Sequence, residues 1–266
     1  MRLFLLLISF FLFFSSCTET KQNITFQSEN IMIEQDIISD STIVLKYLPY
    51  KDSIENSTIN KPLAFSPKNY DKNDGVLNSS LGNLFADATY LMSKKYFSEK
   101  IDVVLLNHGG IRSIISAGEI SEKTAFELMP FENSIIIVKL KGKSIKKMIE
   151  YLIRAKLPHP LKGLNIILNN DYSLISATIN EKFIEDDKIY NIATTDYLLK
   201  GGDKMYFFND SISTIDINYK MRDVLIDYFK SIDTLKINTD NRFIIRWKEE
   251  DLLKTQFMAH LVEVLF

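Results

Sequence analysis

The stretch Ile101-Asp-Val-Val-Leu-Leu-Asn-His-Gly-Gly-Ile-Arg112 opens as a short apolar run and closes on a glycine pair followed by arginine. Ile101–Leu106 is too short for a helix and reads as a buried strand. The adjacent Gly109 and Gly110 permit positive φ and let a ligand approach the backbone closely. Arg112 supplies a planar fork suited to phosphate or carboxylate. Asn107 offers both a donor and an acceptor, which suits a ribose hydroxyl or a base edge. The plain alternative is a strand and turn with a surface arginine.

Outward from this stretch, strand and helix signals alternate irregularly. Upstream, Leu81–Tyr96 has apolar residues at helical spacing: Leu84, Phe85, Ala88, Leu91 and Met92. Further back, Asp40-Ser-Thr predicts the cap of a helix through Ile43, Tyr47 and Ile54, kinked at Pro49. Downstream, Ser134–Leu140 reads as a strand, Gly142 as a turn, and Ser144 as near the start of the clearest helix, striped by Ile145, Met148, Ile149, Leu152 and Ile153. Further strands are predicted at Leu164–Leu168, Ile189–Ala193 and Arg242–Trp247, with a helix at Lys220–Phe229. The mixed order predicts an α+β or α/β fold with more than one sheet.

Two more segments carry chemistry. Leu128-Met-Pro-Phe131 closes a short helical stretch, and the proline fixes where Phe131 points. On such a turn the ring is either core or a stacking face for a base. Thr195-Asp-Tyr197-Leu-Leu-Lys-Gly-Gly-Asp203 again follows a predicted strand. Its pair Gly201–Gly202 lies between an aromatic ring and a carboxylate, although Asp203 is equally suited to capping a turn. The chain has nine glycines, and these two pairs use four of them, which favours one shared site.

Composition sets limits. The 266 residues are 46% hydrophobic and 25% charged, as in ordinary globular proteins. A net charge of −2 argues against a nucleic-acid-binding surface. One cysteine and three histidines exclude a disulfide framework within the chain and a Cys-rich zinc site. MRLFLLLISFFLFFSSC pairs an early positive charge with an apolar run from Leu3 to Phe14, too short to span a bilayer. It is expected to be a signal peptide over 1–16, with lipidation of Cys17. This resembles a bacterial lipoprotein signal, with Phe14 where an aliphatic residue is usual; a soluble export signal is the alternative. Residues 17–34 then read as a tether, with Ile24–Phe26 as a short strand, and 248–266 as an amphipathic extension through Leu252, Leu253, Phe257, Leu261 and Val262. The extension is expected to dock on the same domain.

Four ordered motifs, Ser79-Ser-Leu-Gly-Asn83, Asn107-His-Gly-Gly-Ile-Arg112, Met129-Pro-Phe131 and Gly201-Gly-Asp203, resemble the C-terminal domain of the 5'-nucleotidase family. The resemblance spans roughly 35–247 and includes a domain entrance at Pro49-Tyr-Lys51. It implies a substrate-binding domain of α+β (mixed α/β) class, with two mixed sheets and helices on their outer faces. It implies that Phe131 and Tyr197 sandwich a base, and that Asn107, Arg112 and Asp203 bind the ligand. Five positions depart from the family pattern. Gly75 and Asn78 stand where many members have the arginine and glutamate of R-x-x-E-S, Tyr197 replaces phenylalanine, and Lys204-Met205 replaces a glycine–aromatic pair. Lys204 would return some positive charge near an anion.

Full-length members of the family carry a metallophosphoesterase domain with two metals. Two-metal hydrolysis needs clustered Asp, Asn and His ligands. The chain has no D-x-H or G-N-H-E, and His108, His159 and His260 read as solvent-exposed or structural rather than as metal ligands. No catalytic residue, metal site or cofactor is therefore expected in these residues. The expected partners are a nucleotide or nucleoside, a separate phosphoesterase chain carrying the divalent metals, and a membrane at the cell envelope through Cys17. A non-enzymatic nucleotide-binding lipoprotein and an interaction module with a decayed pocket are the alternatives.

Overall fold

The computed structural model describes residues 28–30, 32, 37–55, 57–237 and 239–246. Cys17, Ile24–Phe26, Trp247, His260 and the 248–266 extension lie outside them. Helix α1 (Ser41–Glu55) starts where the sequence predicts, with Asp40 Oδ1 accepting from the Thr42 N–H at 2.8 Å and the Ile43 N–H at 3.3 Å. It runs through Pro49, where a kink is expected. Compact units divide between Pro49 and Tyr50, and the second holds every element below.

That unit continues with β1 (Pro62–Ser66), α2 (Ser80–Ser93), β2 (Val103–Leu105), β3 (Gly118–Ser121), α3 (Glu122–Leu128), β4 (Ser134–Lys141) and α4 (Gly142–Ala155). Then come β5 (Leu161–Lys162), β6 (Leu164–Asn169), β7 (Leu174–Ile179), β8 (Lys182–Phe183), β9 (Ile189–Thr195), α5 (Asp196–Leu199), β10 (Ser213–Lys220), α6 (Met221–Lys230) and β11 (Phe243–Arg246). A five-stranded sheet has the order β10-β4-β9-β2-β5, with only β2 and β9 parallel. A four-stranded sheet has the order β11-β6-β7-β8, with β11 parallel to β6. These are the two expected mixed sheets. A ribbon of β1 and β3 accompanies them.

Alternation along the central strands divides the core in two. Val104, Ile135, Ile137 and Ala193 join α2, α3 and α6 in one cluster. Val103, Leu105, Ile136, Val138 and Ile192 point the other way, joining α4 and the four-stranded sheet. Both faces are covered, which is why these strands read as continuous apolar runs. The stripe of α4 buries Ile145, Met148, Ile149 and Leu152, each worth about 1.5–3 kcal/mol. Gly142 is the first helical residue rather than a turn before the helix. Its missing side chain has a steric reason: a Cβ there would lie 2.0 Å from the Glu185 carbonyl oxygen.

The Ser79 motif is architectural. Ser79 caps α2, its hydroxyl accepting from the Gly82 N–H at 3.1 Å. Ser79→Ala should cost about 1 kcal/mol in urea unfolding at an unchanged slope, the usual loss for an N-cap.

The topology fixes the site. Because β2 and β9 are parallel neighbours, the glycine loops that follow them emerge at the same end of the sheet. Strand β4 runs antiparallel to β9 with Ile135 opposite Thr195, so the Pro130–Asn133 turn enters at that end too.

Candidate nucleotide-binding site

One cavity of about 300 Å³ is lined by Asn107, Gly109, Gly110, Arg112, Phe131, Asn133, Tyr197 and Asp203. All five side chains singled out in the sequence are brought together. Phe131 is 42% exposed and Tyr197 43% exposed, so neither ring is the core residue that local sequence allows for Phe131. Two half-exposed rings beside a cavity offer π-faces rather than packing.

Asp203 is the most constrained group. Its Oδ2 accepts from Asn107 Nδ2 at 2.8 Å and its Oδ1 from the Tyr197 hydroxyl at 2.9 Å. Its carbonyl accepts from the Tyr151 hydroxyl on α4 at 2.9 Å. These bonds hold a non-glycine residue at φ 52°, in the left-handed region. Asp203 therefore joins both glycine loops instead of serving as a cap. The bond to Asp203 is the main cause raising the Tyr197 hydroxyl pKa, and burial followed by the Asp203 charge raises that of Tyr151. Both remain proton donors at neutral pH.

The glycine pairs work differently from one another. Gly201 has φ 88°, and a Cβ on Gly202 would fall 2.4 Å from the Tyr197 ring. That ring therefore lies directly against the loop. Neither Gly109 nor Gly110 has positive φ, contrary to the expectation for this loop. What Gly110 provides is room, since a Cβ there would stand 2.9 Å from Asn107 Oδ1. Arg112 is placed by its backbone N–H, which donates to the Leu128 carbonyl at 2.9 Å, and by its guanidinium, which donates to the Gly109 carbonyl at 3.3 Å. Its charge lies 5.9 Å from the Phe131 ring centre, at the outer range of a cation–π contact.

Two histidines support the loop. His159 is buried, and its Nδ1 accepts from the His108 backbone N–H at 3.1 Å, while His108 Nε2 lies 3.0 Å from Asn73 Oδ1. Burial, and then the charge of His108, push the His159 pKa down to about 4. Its unfolded value is about 6.5. On acidification the unfolded chain therefore takes the proton first, so the stability is complete above pH 6.5 and is lost as pH falls toward 4. The loss is on the order of 3 kcal/mol, and protonated Nδ1 cannot accept from His108. Urea unfolding of wild type and His159→Asn at pH 7 and pH 4 should give a smaller pH difference for the variant.

Asn133 and Tyr151 escape sequence reading. Asn133 follows Phe131 without a motif of its own, and Tyr151 lies on the helix beside the apolar stripe. Among the described residues, no group of three or more His, Cys, Asp or Glu could hold a metal ion, and no helix is long and apolar enough to cross a membrane.

The pattern of the 5'-nucleotidase, C-terminal domain matches residues 57–210, more than half of the chain. The chain belongs to the 5'-nucleotidase C-terminal domain family. It is 24% identical over 228 residues to a 5'-nucleotidase of Vibrio parahaemolyticus, covering 82% of this chain and 39% of that protein. It is 26% identical over 199 residues to an apyrase of Tabanus yao, covering 65% and 36%. The fold is also that of a 5'-nucleotidase precursor from Thermus thermophilus, with TM-score 0.66 and 18% identity over 78% of this chain and 43% of that one. This 5'-nucleotidase C-terminal domain chain thus spans about two-fifths of the length of these curated relatives.

Proposed function

We propose that this chain is the substrate-binding part of a 5'-nucleotidase-type phosphohydrolase in nucleotide catabolism. A metallophosphoesterase on a separate chain supplies the catalytic metals. The observation that carries this reading is the convergence of two half-exposed rings, a carboxylate and an arginine on one cavity. Phe131 and Tyr197 hold the base by stacking, worth about 1–3 kcal/mol for each ring. Each Asp203 oxygen has one protein donor and keeps a lone pair, so the carboxylate can accept from the hydroxyls of a ribose. Asn107 still has one N–H and its carbonyl oxygen for a base edge or sugar. Arg112 faces the anionic part of the ligand.

Binding and orientation are this chain's share of the reaction; the metals of the partner activate water and clamp the phosphate. Lipidation at Cys17 holds the assembly at a bacterial cell envelope, a reading that rests on the N-terminal signal pattern. The test measures release of phosphate from nucleoside monophosphates by the purified chain, with and without a metallophosphoesterase domain. No release alone and a gain on adding the partner are expected. Full activity from the chain alone, or no gain with the partner, overturns the proposal. Nucleotide binding without any such gain supports a non-enzymatic binding protein instead.

A further inference from the structure

We infer that a second cleft, lined by α4 and the segment from Lys204 to Asp210, is an anion subsite that takes a phosphoryl group. This goes beyond the nucleotide reading and does not depend on it. The cleft has a volume of about 260 Å³. One wall is the face of α4 formed by Lys147, Glu150, Tyr151 and Arg154, which share a side at spacings of three, four and seven. The facing wall includes Lys204 and Tyr206. Lys147 is occupied by Asp210 at 2.8 Å. Among the described residues neither Arg154 nor Lys204 has an ion-pair partner, and Glu150 is the one carboxylate of the cleft left to oppose them.

Backbone conformation singles out Lys204. It has φ 61°, a region that favours glycine, yet this chain puts a long cationic side chain there and directs it into the cleft. A strained residue kept at a cleft is a pointer to function. Beside it, Tyr206 is 61% exposed and presents a flat ring. Tyr151 lines this cleft while its hydroxyl holds the carbonyl of Asp203, a residue of the first cavity. A guanidinium fork and an ammonium match a phosphoryl dianion in charge and in donor geometry. Glu150 keeps the affinity modest.

The experiment titrates the full ¹⁵N-labelled chain with inorganic phosphate at constant ionic strength, against chloride. Saturable shifts are expected at the Arg154 Nε–H and the Lys204–Tyr206 amides. Arg154→Gln and Lys204→Gly should each weaken binding about tenfold. Lys204→Gly should leave the thermal midpoint equal or higher, because glycine adopts this φ freely, so its loss of binding is not a loss of fold. Shifts that fail to saturate, or affinities unchanged in both variants, overturn the subsite. An AMP titration separates the two proposals. Shifts by AMP at Asn107–Arg112, with no phosphate shifts in the cleft, reject the subsite alone. Phosphate shifts in the cleft, with no AMP shift anywhere, retain the subsite and reject the nucleotide reading. AMP displacing phosphate from the cleft identifies a nucleotide phosphoryl as the source, and independent binding identifies free phosphate.

Discussion

The double replacement Phe131→Ala with Tyr197→Ala is expected to abolish AMP binding at concentrations that saturate the wild type. At ~1–3 kcal/mol for each stacked ring the pair contributes ~2–6 kcal/mol. At about 1.4 kcal/mol per tenfold, this is a loss of roughly thirtyfold to more than ten-thousandfold in calorimetric titration. Both rings are more than 40% exposed, so Phe131→Ala should change the fold by no more than about 0.5 kcal/mol, and Tyr197→Ala by about 1 kcal/mol more for its lost bond to Asp203. Tyr197→Phe isolates the hydroxyl. It keeps the ring against Gly202 and removes the 2.9 Å bond to Asp203, so a loss well below that of alanine is expected. Unchanged affinity in the double variant would mean that the cavity is a decayed pocket.

Arg242→Ala is expected to have the largest effect on stability, about 3–5 kcal/mol, the usual result of breaking a buried ion pair. Arg242 is 5% exposed and precedes β11. Its guanidinium donates to both oxygens of Asp240 at 2.6 and 2.7 Å, to both of Asp87 on α2 at 3.1 and 3.2 Å, and to the Leu161 carbonyl on β5 at 2.8 Å. One side chain thus ties a helix of the first core, the edge of the five-stranded sheet and the entrance to the four-stranded sheet. Its removal leaves Asp87 with Lys162 at 2.8 Å. Asp240 has a half-exposed side chain and can turn to water, which places the loss nearer 3 kcal/mol. For a domain of this size the thermal midpoint should fall by roughly 6–12 °C. A loss under about 1 kcal/mol would show that solvent already satisfies the cluster.

The central strands are legible in the sequence because both of their faces are buried. Ile101–Leu106 and Ser134–Leu140 are apolar almost without interruption, and the structure pairs Val103–Leu105 and Ser134–Lys141 at those places. The α4 stripe is legible for a related reason, a long apolar face with one period. Strand β10 escapes such reading, since Ser213–Lys220 lies at a sheet edge and is exposed over its first half. Strands β7 and β3 are mostly exposed or half-covered, so they lack an uninterrupted apolar run. Five cavity-lining residues can be named because they lie in or beside motifs ordered along the chain. What a sequence of motifs cannot show is the bonding among them. Asn107 and Asp203 are 96 positions apart, and their contact depends on β2 and β9 being parallel neighbours. Nor can the glycine pairs be told apart, because Gly201 is needed for its φ and Gly110 for the space it leaves to Asn107.

The proposed function puts a base between Phe131 and Tyr197 with its ribose at Asp203. The most direct test is a crystal structure of the full chain with AMP. The adenine ring is expected between those two side chains, with a ribose hydroxyl within hydrogen-bond distance of the Asp203 carboxylate. AMP bound elsewhere on the protein, or a cavity left without nucleotide at saturating AMP, would contradict it.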